Sequence, residues 1–343
     1  MPARTIYPIF LPHAGCPFQC VYCNQKAVTA ERPRVDSIRD YFQSRLNVFV
    51  EQAAKKPATR GELAFYGGTF TAIAADVMRF MLDAASPWVE RGVFAGIRFS
   101  TRPDRLGPEI CRLLADYPVR TVELGVQSLV DEVLLACRRG YPAAAVTDAV
   151  ASVRAMGWDL GIQLMLGLPG DQQEKFLASV FAAIDLKPDF VRLYPTLVLP
   201  GTVLADWHAR GRYQPLPLDE AIDWCTEAYA AFVQADIPVA RMGLHADPTL
   251  QKPGARVDGP YHPAFGYLVK VNWWRRQVDH LLTAAAWTQG KRLLLHAPER
   301  CISEVVGPER ANVKHWLSHW GLARIEVKGE PGWVFNRFEA HLC

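Results

Sequence analysis

Six short runs rich in β-branched and aromatic residues alternate with longer amphipathic runs over residues 6–196, and nothing else in the chain restricts its fold as much. The strand-like runs are "IYPIFLP" (6–12), "LAFYG" (63–67), "GIRFST" (96–101), "TVELGVQ" (121–127), "LGIQLMLG" (160–167) and "FVRLYPT" (190–196). Between them, residues 36–54, 74–86, 108–115, 142–156 and 174–184 repeat apolar positions at the helical period, with Asp36 as a cap and Pro108 in a first turn. Strands joined by helix-length crossovers run parallel. The expected fold is therefore α/β, a partial (β/α)6 TIM-type barrel in a core domain at residues 1–236, with a small C-terminal α+β appendage at residues 237–343.

The chain has 343 residues, half of them hydrophobic, enough for a large buried core. No apolar run approaches the about 18 residues of a membrane span, and "MPARTIYPIFLPH" lacks a signal peptide's apolar core and cleavage site, so a cytoplasmic protein is expected. In a reducing compartment cysteines serve as ligands or catalytic groups more often than as disulfides. Three of the eight, Cys16, Cys20 and Cys23, fall in "CPFQCVYC"; Cys111, Cys137, Cys225, Cys301 and Cys343 are scattered singly and read as packing, apart from the terminal one.

Polar and glycine-rich stretches follow each predicted strand: the cysteine triplet after the first, "GGTFT" (67–71), "STRPD" (100–104), "QS" (127–128), "GLPGD" (167–171) and "RLYPT" (192–196). In a parallel barrel these strand ends share one mouth, where chemistry is done. A structural zinc site takes four Cys or His ligands, usually in two short pairs, and no second pair follows His13 and the triplet. Electron-carrying iron–sulfur cubanes take four thiolates. Three would leave one iron open to a small molecule.

With the strand before it, this Cys-x3-Cys-x2-Cys loop resembles the signature of the radical S-adenosylmethionine (SAM) superfamily, over about residues 6–200. The resemblance implies a 4Fe-4S cluster held by Cys16, Cys20 and Cys23, its open iron taking the amino and carboxylate groups of SAM. It implies that one electron, from a donor such as flavodoxin or ferredoxin, cleaves SAM to methionine and a 5′-deoxyadenosyl radical that abstracts hydrogen from substrate. By position it also places Tyr22 beside the adenine, Gly67, Gly68 and Thr69 of "YGGTF" at the SAM amino group, and Ser100 and Arg102 at SAM from the third strand. The resemblance likewise implies that Glu123 and Gln127 point toward the ribose and substrate cavity, that Arg139 faces the SAM carboxylate, and that the segment holding Gln163 flanks adenine and ribose. For Glu123 and Arg139 an ordinary ion pair at the barrel rim is the alternative.

Within the superfamily, "FYGGTFT", "STRPD", "VELGVQS", "GLPGD" and "RLYPTLVLPGT" are most similar to the radical SAM core of the Elongator catalytic subunit family and its short bacterial relatives; the Elongator subunit modifies the wobble uridine of tRNA with the help of a C-terminal acetyltransferase domain. Two departures make acetyl chemistry doubtful: residues 237–343 contain no glycine-rich pyrophosphate loop, and the cysteine loop lacks the longer spacing and following Pro-Gly-Gly of that family. The resemblance thus implies a radical SAM enzyme with tRNA as candidate partner. A small-molecule or tetrapyrrole substrate is the alternative, since the coproporphyrinogen dehydrogenase branch shares the cysteine spacing and "GVQS". So is a non-enzymatic haem- or nucleic-acid-binding protein that retains the barrel.

Net charge is +3, but residues 251–343 hold 13 Lys or Arg against 8 Asp or Glu. There "GPYHPAFG" reads as a loop closing the mouth or a rigid connector. In "VKVNWWRRQ", Lys270, Arg275 and Arg276 beside Trp273 and Trp274 suit stacking on unpaired bases. On a helix, with neighbours about 100° apart, the same residues put Trp in the core and Arg in solvent. A helix is expected over 264–287, then a strand at "KRLLLHA", a helix over 308–319 and strands at "ARIEVKG" and "GWVFNRFE".

Overall fold

The structure is a computed structural model and describes residues 5–17, 19–25, 38–55, 60–244, 254, 256–285, 288–334 and 337–343. β1 (Ile6–Phe10) buries Tyr7 and Ile9 and leaves their neighbours half-buried, the two-residue period of a strand. β2 (Glu62–Tyr66), β3 (Gly96–Thr101), β4 (Val119–Gln127) and β5 (Asp159–Leu166) are buried over nearly their whole length, because helices cover one face and the barrel interior the other. β6 (Phe190–Pro195) and β7 (Val239–Met242) complete a seven-stranded sheet in sequence order, every neighbouring pair parallel, curled into a half-barrel. The expected α/β half-barrel is present with one strand more than the six anticipated. β7 has only four residues, half-buried or exposed, at the sheet edge, so no apolar run announces it.

The crossovers are α1 (Ile38–Ala54), α2 (Ala75–Glu90), α3 (Pro108–Leu114), α4 (Asp131–Ala136), α5 (Ala144–Ala155), α6 (Gln173–Asp185), α7 (Val203–Ala209) and α8 (Leu218–Gln234). The anticipated cap Asp36 lies outside the described residues. α4, α7 and α8 were not anticipated. For α8 the signal exists: Ala221, Trp224, Cys225, Ala228, Tyr229 and Phe232 recur at three- and four-residue steps and all are buried.

The remainder comprises α9 (Phe265–Thr283), β8 (Arg292–Pro298), α10 (Ile302–Val306), α11 (Ala311–His319), β9 (Arg324–Glu330) and β10 (Glu339–Leu342), with β8 central in a mixed three-stranded sheet. The last strand starts only at Glu339, the final residue of "GWVFNRFE", two of whose residues, 335 and 336, lie outside the described set. α9 packs on α8 through Trp273, whose ring meets Tyr229 at 5.8 Å, and Trp274 is fully buried. Burying one such side chain is worth on the order of 2–3 kcal/mol. Arg276 pairs with Asp223 (2.9 Å) and Glu227 (3.5 Å) of α8, and Lys270 with Glu304 (3.0 Å). The tryptophans are core and these cations are matched, so the base-stacking reading of this stretch is set aside. Among the described residues no helix is long and apolar enough to cross a membrane.

Candidate functional site

The loops leaving β1 and β2 are zipped together by their backbones. Leu11 N–H donates to Tyr66 O (2.7 Å), His13 N–H to Gly67 O (2.8 Å) and Thr69 N–H to Ala14 O (2.8 Å). A Cβ on Gly68 would stand 2.2 Å from Ala14 O, one on Gly15 2.3 Å from Thr69 O, and Gly67 adopts φ +92. Glycine is therefore required by close approach. The result sets the Thr69 hydroxyl 3.4 Å from Cys16 Sγ.

Cys16 is exposed, Cys20 buried and Cys23 half-buried, and none is in a disulfide. Their loop is walled by α4 and α7: Val21 N–H donates to Cys137 O (3.3 Å), Leu204 N–H to Val21 O (2.8 Å), and Val21 packs with Val133, Leu168, Val198 and Leu204. Burial, reinforced by the neighbouring Cys20 and Cys16 thiols, pushes Cys23 up to about 12. Three thiolates side by side in such a place require a cation, and a thiolate-bound iron–sulfur cluster provides that charge. The donors thus fit the cluster in kind. As they stand, no three His, Cys, Asp or Glu side chains among the described residues gather closely enough to hold a single metal ion.

Arg139, 5% exposed, projects into this loop. Its Nη1 donates to Cys20 Sγ (3.2 Å) and lies 3.4 Å from the Tyr22 hydroxyl; its Nε and Nη2 reach the Tyr141 hydroxyl (3.1 and 2.7 Å), and Nη2 also donates to Gly125 O. Arg102 is committed to Asp104 (2.8 Å) and donates to Arg139 O, so it braces Arg139. Nearby Gln127 sits at φ +71 where the β4–β5 register slips, a sparsely populated conformation for a non-glycine residue, and its buried Oε1 has no hydrogen-bond partner among the described residues. Such strain concentrates at binding sites.

Glu123 lies deeper and is fully buried. Its carboxylate accepts from Arg98 Nη1 (2.9 Å), Arg192 Nη2 (3.0 Å), the Tyr66 hydroxyl (2.6 Å) and Gln163 Nε2 (2.9 Å), and Arg192 Nε stands 2.8 Å from Oε2. Burial alone would push Glu123 up, but Arg192 and Arg98 more than reverse it and hold the carboxyl below the usual range. Glu62, also fully buried, takes the other side of Arg98 (2.5 Å) and the Thr121 hydroxyl (3.0 Å). The alternative of an ion pair between Glu123 and Arg139 is not what forms: Glu123 pairs with Arg98 and Arg192.

Ser100 and Gly68 line a shallow open cleft with Leu11, Tyr66 and Ile73, together with Phe65 and Phe70. Those two rings stack at 4.7 Å, and Phe99 continues the stack at 5.0 Å. The structure thus gathers Cys16 with Thr69 and Gly68, Cys20 with Arg139 and Tyr22, and Gln163 with Glu123. Sequence reasoning passed over Arg98, Arg192, Glu62, Tyr66 and Tyr141. An arginine within an apolar strand, as in "GIRFST" and "FVRLYPT", was the available signal, because a buried charge demands a partner.

A radical SAM superfamily profile matches residues 10–182 and a radical SAM C-terminal domain profile residues 188–275. A tRNA uridine(34) acetyltransferase from Dehalococcoides mccartyi is 31% identical over 59% of this chain and 50% of its own length. A Lactococcus lactis heme chaperone is 26% identical over 57% of this chain and 50% of its own. The chain spans about half the length of these curated relatives. Among solved structures, the archaeal Methanocaldococcus infernus Elp3 superposes with a TM-score of 0.58 at 22% identity, over 79% of this chain and 63% of that one, a likeness of fold. Since the superfamily profile takes in half the sequence and lies on the strands and loops that assemble the cysteine site, the chain is a member of the radical SAM superfamily of enzymes.

Proposed function

We propose that the protein cleaves SAM at a 4Fe-4S cluster held by Cys16, Cys20 and Cys23 and uses the resulting radical to modify tRNA. One observation carries the reading: a buried arginine with no carboxylate partner among the described residues stands against Cys20 and Tyr22 of the cysteine loop, and a glycine turn is in backbone contact with that loop. When bound, the cluster supplies the electron that breaks SAM into methionine and a 5′-deoxyadenosyl radical. The chain's own groups do the placing. Arg139 offsets the Cys20 thiolate and offers its charge to the methionyl carboxylate. Gly67 and Gly68 admit the ligand to the backbone, the Gln127 Oε1, without a partner among the described residues, accepts a hydroxyl, and Glu123 holds the Gln163 amide in place. The phenylalanine stack keeps water from below.

The tRNA substrate is supported by the named activity of the curated relatives and by the surplus of cations in residues 251–343. Acetyl transfer belongs to the names of proteins of which the match covers half or less, and it is no part of the proposal. The test is anaerobic reconstitution with iron and sulfide, followed by assay for 5′-deoxyadenosine with and without tRNA. SAM cleavage stimulated by tRNA is expected, and Cys20→Ala should lose both iron and cleavage. A full cluster without SAM cleavage sinks the enzymatic reading, and absence of tRNA binding at low salt sinks the substrate. A haem-binding reading has the heme chaperone relative in its favour. Stoichiometric haem binding without SAM cleavage would select it.

A further inference from the structure

The described part of the Pro- and Gly-rich stretch is fixed to the mouth at the β6–β7 side. Val198 N–H donates to Asp258 O (2.9 Å) and Val257 N–H to Val198 O (2.7 Å), an isolated antiparallel bridge. Gly259, at φ +113, lies so close that a Cβ would stand 3.1 Å from both Leu197 Cα and Thr196 O. This seats Tyr261 and His262 beside Pro195, Leu197, Gly243 and Leu244 in a shallow open cleft. Residues 245–253 and 255 lie outside the described set.

Two polar atoms here are buried without a hydrogen-bond partner among the described residues: the Tyr261 hydroxyl and Arg256 Nη1. The Arg256 guanidinium lies over the Tyr261 ring at 4.5 Å, so the two orphaned donors belong to one stacked pair. The nearby groups are otherwise engaged. Asp258 accepts from Gly259 N–H (2.7 Å) and faces His208 Nε2 (3.3 Å), while His262 Nδ1 accepts from Ala264 N–H (3.1 Å). Native proteins rarely leave buried donors unmatched, and a cation plus a phenol is the donor set that oxyanions take.

We propose that Arg256 and Tyr261 form a subsite for a phosphate group of the substrate, at the edge of the cleft where β6 and β7 end. The phosphate's source, an RNA backbone, rests on the tRNA reading; the subsite rests on the two side chains. The test titrates the reconstituted protein with tRNA across a salt series, and separately with uridine 5′-monophosphate and uridine. Arg256→Ala should weaken tRNA binding about tenfold and lower the slope of log affinity against log salt by about one. Tyr261→Phe, which keeps the ring and the fold, should weaken binding about threefold with the slope unchanged. If wild type binds tRNA and both variants match it in affinity and slope, with unaltered unfolding midpoints, the subsite is overturned and the tRNA reading stands. If wild type fails to bind tRNA but binds uridine monophosphate over uridine in an Arg256-dependent way, the subsite stands with a small phosphorylated ligand. If neither ligand depends on Arg256 or Tyr261, the proposal falls.

Discussion

Arg98 and Arg139 are both buried, at 8% and 5% exposure, yet they are neutralised in opposite ways. Arg98 lies between two fully buried carboxylates, Glu62 at 2.5 Å and Glu123 at 2.9 Å, and Glu123 is matched again by Arg192. Arg139 has no carboxylate among the described residues; phenols, a carbonyl and the Cys20 thiol surround it. The first set is closed: each charge is cancelled from within the chain. The second is open, since a buried guanidinium satisfied only by neutral groups keeps a net charge that favours an arriving anion. Deep in the barrel the charges hold structure, and at the rim one is left over for a ligand.

Removing Arg98 should therefore be the costliest change. Arg98→Met leaves two carboxylates buried with fewer partners, and a loss of about 3–5 kcal/mol in urea unfolding is expected. Adding Glu62→Gln should restore part of it. A loss under about 1 kcal/mol would mean that the network is no more than a wet surface cluster and would dissolve the contrast. Arg139→Met strands phenols and a carbonyl but no charge, so about 2 kcal/mol is expected. SAM affinity, read by equilibrium dialysis of reconstituted protein, should fall about tenfold or more. Equal stability losses for the two variants would erase the distinction between closed and open sets.

Acid titration sharpens it further. Burial, partly opposed by hydrogen bonds from the Gly167 and Gln172 N–H groups, pushes Asp171 of "GLPGD" up to about 6. A carboxyl with a raised folded pKa binds its proton more tightly when folded, so its contribution is complete below about pH 4 and is lost as pH rises through about 6. The amount is on the order of 1–2 kcal/mol, allowing for its partial exposure. Glu123, lowered by Arg192 and Arg98 against its burial, acts in the opposite sense: its contribution is present at neutral pH and is lost as pH falls below about 4.5. Unfolding midpoints from pH 4 to 7 should show a decline that Asp171→Asn removes.

The contrast also marks what was legible in the chain. The barrel was, because apolar runs and helical periods repeat and the crossover rule turns their order into a parallel sheet. The cysteine loop and glycine turn were as well, since residue type and spacing carry them. β7 was not, its four residues all half-buried or exposed at an edge and one of them an arginine. Nor were α4 and α7, six and seven residues long, too short to show a period. Pairings were the least legible. Glu123 with Arg98 and Arg192 spans separations of 25 and 69 residues, and only the register of β3 to β6 brings them to one interior. Composition likewise misjudged "VNWWRRQ" as a basic-aromatic surface candidate, where the helical period had the tryptophans in the core.

The smallest effect expected isolates what matters in these comparisons. Arg276 on α9 has two carboxylate neighbours, Asp223 at 2.9 Å and Glu227 at 3.5 Å, as many as Arg98 has. Its side chain is 38% exposed, however, and those of Asp223 and Glu227 are 52% and 37% exposed, so water already screens each charge. Arg276→Ala should cost about 0–1 kcal/mol in urea unfolding, an effect that added salt reduces. It should leave the salt dependence of tRNA binding where it was, because this guanidinium is matched within the chain. A loss near that of Arg98→Met would mean that partner number, rather than burial, governs the closed set, and the argument for Arg139 as the open position would then have to rest on its contact with Cys20 alone.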